Sequence, residues 1–309
     1  MIRNTIVFCG TLLLIFCNTS AVSSEVSTMA APKWAGFYVG ANAGGVWSAN
    51  TKTSIVSSFV PGSQNPSYPN GATYTGIQSA TGATGIISTS NAGFIGGGQI
   101  GYNLQFTDRL LGGLETDLQA MTSGNDSGKS SSTVPLSGTY DGGAYSFLPG
   151  ESYATMLNSK KHTNYLGTFR GRLGGLITPS LLVMGTGGLA YGGVSSKATI
   201  TQTNNERSLV DPALAQFTLD PQTVTSGRYS KNIRLGWTVG AGGEWMFLPN
   251  WSAKVEYLYY DLGRVNYTMS PTITRIPANS SPVAVVASQV MTHFNGNIVH
   301  VGISYHGFS

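Results

Sequence analysis

The sequence predicts an all-β fold: an eight-stranded antiparallel up-and-down transmembrane β-barrel with four long extracellular loops and three short periplasmic turns. Three observations predict it. Glycine accounts for 41 of 309 residues, and only 10% of residues are charged, against roughly 25% in soluble globular domains. After the N-terminal segment, no apolar run is long enough to cross a bilayer as a helix. Segments with period-two alternation recur instead, and a closed barrel crosses a membrane with only alternate residues apolar.

In eight segments rich in glycine and aromatic residues, apolar side chains tend to recur at every second position, as they do in β-strands. They are Trp34–Trp47, Ala92–Phe106, Leu110–Met121, Asn164–Ile177, Leu181–Val194, Ile233–Phe247, Trp251–Tyr260 and Asn297–Tyr305. The short breaks at 107–109, 178–180 and 248–250 alternate with long breaks at 48–91, 122–163, 195–232 and 261–296. This alternation is typical of a barrel with one plain, periplasmic rim and one elaborate rim. Within the break 122–163, the closely spaced aromatic residues Tyr140, Tyr145 and Phe147 favour a short hairpin.

Charged residues in the predicted strands share one face. Four strands carry two charges each, and in every case the positions of the two differ by an even number: Glu115/Asp117, Arg170/Arg172, Arg234/Glu244 and Lys254/Glu256. Because an offset of one residue moves a side chain to the other face, chance gives this pattern roughly one time in sixteen. The uncharged face is therefore predicted to contact lipid.

Counting outward from the turns brings the charges together. A tight turn at Leu248-Pro249-Asn250 sets Phe247 opposite Trp251 and Glu244 opposite Lys254. The acidic pair and the arginine pair also lie at similar heights on neighbouring strands. The sequence predicts an ion-pair network in the lumen, formed by Glu115, Asp117, Arg170, Arg172, Glu244, Lys254 and Glu256. An eight-stranded barrel is just wide enough for side chains to fill it, so this network would plug the lumen.

Aromatic residues lie where the two membrane interfaces are expected. Phe106, Trp245, Phe247, Trp251 and Tyr305 cluster near the short-turn rim, and Trp47, Tyr165, Tyr191 and Tyr259 lie near the long breaks. A soluble barrel such as a lipocalin would need a water-exposed face rich in charge. The polar face here is mostly glycine, which favours a lumen. A β-propeller is disfavoured because no repeat of blade length is present.

Residues 1–30 are predicted to be an export signal, with cleavage between residues 21 and 31. Arg3 supplies the positive start and Thr5–Cys17 the apolar core. Both cysteines, Cys9 and Cys17, lie in this segment. Phe16 before Cys17 disfavours a lipoprotein signal, which requires a small residue there. The mature barrel, 31–309, is therefore expected to contain no thiol, disulfide or cysteine metal site.

No catalytic constellation is evident. His300 and Ser304 share a strand face but lie about 13 Å apart, at roughly 3.3 Å per residue. Ser304 and His306 are closer, without an evident acid partner. His162 and His293, in or beside long breaks, are weak candidates for heme iron; no cofactor and no metal site is expected. The net charge of +4 is scattered, which excludes a nucleic-acid partner.

Several segments are similar to a known family. Lys33–Ser48, Gly93–Phe106, Arg170–Gly192 and Arg234–Gly263 resemble the OmpA-like, opacity-type barrels, above all the alpha-proteobacterial major surface antigens and hemin-binding outer-membrane proteins. The resemblance covers nearly all predicted strands and none of the long breaks. It implies a Gram-negative outer-membrane barrel with roles in envelope integrity and host contact, and no catalytic residues.

The same resemblance implies the partners: outer-membrane lipid and lipopolysaccharide, the barrel-assembly machinery and a host surface ligand. Family members end on an outward aromatic residue that the assembly machinery reads. Here Gly307 holds the next outward position after Tyr305, Phe308 is out of phase, and Ser309 ends the chain. The expected function is a structural and surface-interaction barrel. A small porin-like diffusion pore and a loop-based binder of hemin or a receptor are the alternatives.

Overall fold

The structure is a computed structural model, and it describes residues 34–64, 66, 69–89, 92–123, 127–143, 145–147, 149–204, 222–275 and 282–308. Contacts divide the chain into Met1–Ala31 and Pro32–Ser309. The predicted export signal, 1–30, lies outside the described residues.

The described residues are mostly β-strand. The strands are β1 (Gly36–Ser48), β2 (Lys52–Phe59), β3 (Gly85–Ser88), β4 (Ala92–Gln105), β5 (Leu110–Ser123), β6 (Ser127–Pro135), β7 (Thr139–Tyr140), β8 (Tyr145–Ser146), β9 (Ser152–Thr178), β10 (Leu181–Asn204), β11 (Gln222–Leu248), β12 (Trp251–Thr268), β13 (Thr272–Arg275) and β14 (Pro282–Phe308). One α-helix, α1, covers Pro69–Ala83, and a 3₁₀ turn covers Asp141–Gly143. Within the described ranges, no helix combines the length and apolar character needed to cross a membrane.

Eight strands form a closed antiparallel ring, as the sequence predicts. Their order is β1-β4-β5-β9-β10-β11-β12-β14, and pairing of β1 with β14 closes the ring. Each of the eight predicted segments corresponds to one of these strands, with Trp34, Ala35 and Phe106 just outside the strand ends. The three predicted short breaks are tight connections, and Tyr140 and Tyr145 pair in the β7–β8 hairpin that the sequence favours.

The outer face of the ring is apolar and the inner face carries the charge. Leu114, Leu118, Phe169 and Leu173 are each more than half exposed on the outside. Arg170, one residue from Phe169, is fully buried inside. The prediction that the uncharged face of each strand points outward and the charged face points into the lumen is therefore confirmed for these strands.

The prediction of long loops beyond the ring is wrong over much of their length. β9, β11 and β14 each run for 27 residues, whereas a strand needs roughly 9–11 residues to cross a bilayer. The upper halves carry few outward apolar residues, such as Met156 and Val224, because they lie beyond the lipid-facing band. Their serine- and threonine-rich sequence therefore does not show the alternation of a lipid-facing strand. Their inward positions are nevertheless buried, and they are both apolar and polar: Ala198 and Ile200 of β10 and Ser159 of β9 have no exposed surface.

Helix α1 packs inside this upper β-structure. It contacts β2, β6, β9, β10 and β14 through its small residues. The Ser79 hydroxyl donates to Gln202 Oε1 at 2.7 Å, and Gln202 Nε2 donates to the Ser79 carbonyl at 2.8 Å. The sequence does not predict this helix, because it is rich in alanine, glycine, serine and threonine and has no apolar stripe at helical spacing.

The hairpin at 248–250 is tighter than predicted. Leu248, not Phe247, pairs with Trp251, and a bulge between Met246 and Leu248 takes up the extra residue. Because the bulge absorbs the difference, the predicted register above it is correct, and Glu244 lies opposite Lys254. Arg234 is the one predicted inward charge that joins no lumen contact; it donates to backbone carbonyls of Leu262 and Arg264 instead.

Candidate functional site: the charged lumen

The structure brings the seven predicted lumen residues together inside the ring. They occupy inward positions of β5, β9, β11 and β12, and none is more than 3% exposed: Glu115, Asp117, Arg170, Arg172, Glu244, Lys254 and Glu256. Burying a charge is costly unless it is paired and hydrogen-bonded. These seven buried charges are therefore compatible with a stable fold only if they are paired with one another.

Arg170 is the centre of the network. Its Nη2 atom lies 2.5 Å from Glu115 Oε1 and 2.9 Å from Asp117 Oδ2, and its Nη1 atom lies 2.6 Å from Glu256 Oε1. Glu115 is directly opposite Arg170 in the β5–β9 ladder. A planar guanidinium presents several donors in fixed directions, so one arginine can link three carboxylates from β5 and β12.

Arg172 and Lys254 extend the network toward the short-turn rim and across the barrel. Arg172 Nη2 lies 2.5 Å from Glu244 Oε2. Lys254 Nζ lies 2.9 Å from Glu115 Oε2 and 3.4 Å from Glu256 Oε2. The three cations therefore share four carboxylates, and every carboxylate has at least one cationic partner.

Five further residues, outside the predicted network, add hydrogen bonds to it. The Tyr38 hydroxyl donates to Glu115 at 2.7 Å and accepts from Arg172 Nη1 at 2.6 Å. Gln99 accepts from Lys254 at 2.8 Å, and its amide donates to Ser304. His300 and His306 contact Glu256 and Glu244 at 2.9 and 3.2 Å. The sequence already places His300 and Ser304 on one strand face, but Tyr38 and Gln99 carry no charge that would mark them as partners of the network.

Two apolar layers enclose the polar network. Toward the short-turn rim lie Trp34, Leu111, Leu176, Leu182, Met184 and Met246. Toward the long rim lie inward residues of the ring that belong to the larger core cluster, among them Val46, Ile95, Met121, Leu166, Leu258 and Ile298. A water-filled path would have to pass all three layers, and the side chains of each are buried.

The histidine and serine residues at the short-turn rim do not form a catalytic relay. The expectation that Ser304 and His306 have no acid partner is wrong for His306, which lies 3.2 Å from Glu244. The serine beside it is Ser252, whose hydroxyl donates to Glu244 at 2.5 Å, whereas Ser304 accepts from Gln99. His306 uses the same nitrogen, Nε2, toward Ser252 and Glu244, whereas a relay needs the acid on one ring nitrogen and the serine on the other. Within the described residues, no cluster of three or more candidate ligands suits a metal ion.

The two candidate heme ligands lie on different strands. His162 is exposed on the outer face of β9. His293 is half-buried on β14, where its Nε2 atom lies 2.8 Å from Asp261 Oδ1. In the described ladders β9 does not pair with β14, and the structure does not gather the two imidazoles into one site.

The sequence profile described as "outer membrane protein beta-barrel domain" matches residues 14–306. The chain belongs to this family. It is an outer-membrane β-barrel protein. Two curated relatives, the 31 kDa outer-membrane immunogenic proteins of Brucella melitensis and Brucella suis, are each 35% identical over 183 residues. The match covers 59% of this chain and 60% of each relative, so it spans less than two thirds of their length.

Two solved structures show a more distant likeness. OprG from Pseudomonas aeruginosa is 11% identical with a TM-score of 0.35, covering 88% of this chain and 97% of OprG. Ail of Yersinia pestis is 9% identical with a TM-score of 0.24, covering 86% of this chain and 99% of Ail.

Proposed function

We propose that this outer-membrane barrel is a closed structural anchor that presents its extended upper strands and hairpin outside the cell as an interaction surface. The observation that carries the proposal is the contrast between the two halves of the ring. The lipid-facing half is filled by the ion-pair network and its two apolar layers. The upper half continues well past the length that a bilayer requires, and it is itself filled by α1 and an apolar core.

The alternatives receive less support. A diffusion pore needs a continuous polar path, whereas the lumen residues are at most 3% exposed. Hemin binding by the loops would be expected to use a shared histidine site, and His162 and His293 do not form one. An enzymatic role lacks a relay at Ser252 and His306. We therefore place this protein among non-enzymatic barrels with a surface role, as the "immunogenic" name of its Brucella relatives also favours for them.

The orientation has a direct test, because the predicted mature chain has no cysteine. Ser131→Cys on β6 and Asp108→Cys in the turn before β5 both introduce a thiol at an exposed position. A membrane-impermeant maleimide should label the first on intact cells and the second only after the outer membrane is permeabilised. The reverse pattern would place the long rim in the periplasm and overturn the proposed orientation.

The interaction surface can be tested by removing the hairpin without disturbing the ring. β6 and β9 pair up to Pro135 and Ser152, so a Gly-Ser turn can replace 137–150 and leave this register intact. Cells that display the shortened chain should lose attachment to a host-cell monolayer and keep the same amount of folded barrel. Equal attachment by cells with the full and shortened chains would contradict a contact role for the hairpin.

A further inference from the structure

Four cations form a row on the outside of the upper strands. Lys197 of β10 lies directly opposite Lys160 of β9 on one side and Arg228 of β11 on the other. On β6, Lys129 lies opposite Asn158, two residues from Lys160 and on the same face. All four side chains are exposed. The row therefore crosses four neighbouring strands, which are spaced about 4.8 Å apart in a sheet.

The fold alone gives no reason for this arrangement. Like charges directly opposite each other destabilise a strand pair, and here two consecutive pairs carry them. In the part of the chain that the structure describes, none of the four cations takes part in an ion pair. A row of cations that costs stability, and that no ion pair offsets within the described residues, is typical of a surface that receives charge from a ligand.

The position of the row restricts the ligand. Lys160 lies five residues beyond Tyr165 of the outer aromatic girdle, about 16 Å along the strand at roughly 3.3 Å per residue. With the usual tilt near 40° this is about 12 Å of height. Phospholipid headgroups extend only about 5–8 Å beyond the hydrocarbon core. A glycolipid whose anionic groups stand on sugars reaches the height of the row.

We propose that Lys129, Lys160, Lys197 and Arg228 bind the phosphate and carboxylate groups of lipopolysaccharide beside the barrel. This proposal rests on the proposed orientation, with the long rim outside the cell. Bound lipopolysaccharide would neutralise the repulsion between the opposed cations and hold the upper wall against the leaflet.

The test is a titration of the purified, folded chain in neutral detergent micelles with fluorescent rough-type lipopolysaccharide. Lys160→Gln with Lys197→Gln removes two cations from the row. Lys52→Gln with Arg264→Gln removes two exposed cations from β2 and β12, away from the row, and serves as the matched control. A lysine or arginine near an anionic lipid surface contributes about fivefold in affinity, so the row variant should bind roughly thirtyfold more weakly. The control should bind within about threefold of the parent.

Three results would overturn the proposal. Equal weakening by both variants would mean that only net charge matters. Equal binding by both variants and the parent would mean that the row is not the site. Full displacement by dextran sulfate at the same charge concentration would show that a soluble polyanion is the preferred ligand.

A second measurement separates a ligand site from a structural role. Without lipopolysaccharide, Lys197→Gln should unfold at the same or a higher urea concentration than the parent, because it relieves two like-charge pairs. A lower urea midpoint would show that Lys197 supports the wall and overturn the proposal. Binding in micelles does not depend on which side of the membrane the row occupies, so failure here and failure of the cysteine-labelling test are distinguishable.

Discussion

Arg170 and Glu115 lie directly opposite each other in the β5–β9 ladder, with Nη2 and Oε1 2.5 Å apart and both side chains buried. The same guanidinium also contacts Asp117 and Glu256. This residue therefore joins three carboxylates that would otherwise repel one another inside the ring.

Replacing Arg170 should destabilise the barrel strongly. Arg170→Met removes one cationic partner from each of three buried carboxylates, and breaking a buried ion pair costs roughly 3–5 kcal/mol. This loss of stability is measured as the change in the free energy of unfolding in urea, with the gel mobility of the folded form as the signal. Arg109→Met, in the exposed turn before β5, removes the same charge and should change the stability by less than about 0.5 kcal/mol. Similar values for the two variants would contradict a structural role for the network.

Adjacent glycines of β4 should differ sharply in their tolerance of alanine. A Cβ atom on Gly97 would lie 2.0 Å from the Leu118 carbonyl oxygen of β5, whereas one on Gly98 meets nothing closer than 3.8 Å. Gly97→Ala must push two strands apart and should cost about 1–3 kcal/mol. Gly98→Ala, on the lipid face, should be close to neutral. Urea unfolding of both variants checks the difference, and equal losses would show that the inner face is not crowded as described.

The packing of helix α1 against the upper strands should depend on the side chain of Gln202. Gln202 makes reciprocal hydrogen bonds with Ser79 and a further one to Thr155 at 3.1 Å. Gln202→Leu should release α1 from the strands around it while the ring stays folded. The peptide bond after Tyr74 should then be cleaved by brief chymotrypsin treatment. Gln289→Leu, the same change at an exposed site on β14, should leave the cleavage rate unchanged. If both variants resist cleavage equally, Gln202 does not hold the helix.

The lipid-facing half of this fold could be predicted because the membrane imposes a pattern. Leu114 and Phe169 must be apolar outside, and Glu115 and Arg170 can be charged only inside, so phase alone assigns each residue to a face. Register could be counted from the turns, and Glu244 lies opposite Lys254 as predicted. The bulge at Phe247 could not be predicted, because two-residue and three-residue connections fit the same sequence.

The upper half could not be predicted for the opposite reason. Outward residues such as Lys160 and Lys197 face water, so β9 and β10 lose their apolar outer face beyond the girdle and look like loop in the sequence. The inward positions Ala198, Ile200 and Gln202 do alternate with outward ones, but the threonine residues between them and the polar Gln202 leave little contrast between the two faces. Helix α1 is held by its surroundings rather than by an apolar stripe, so its sequence carries little signal.

The most direct test of the closed lumen is single-channel recording of the purified, folded protein in planar bilayers. The three side-chain layers predict no steady conductance steps above the baseline at ±100 mV, for the parent and for Gly98→Ala alike. Stable, uniform conductance steps from folded protein, reproduced after removal of misfolded material, would show an open path through the Arg170 network and contradict the account.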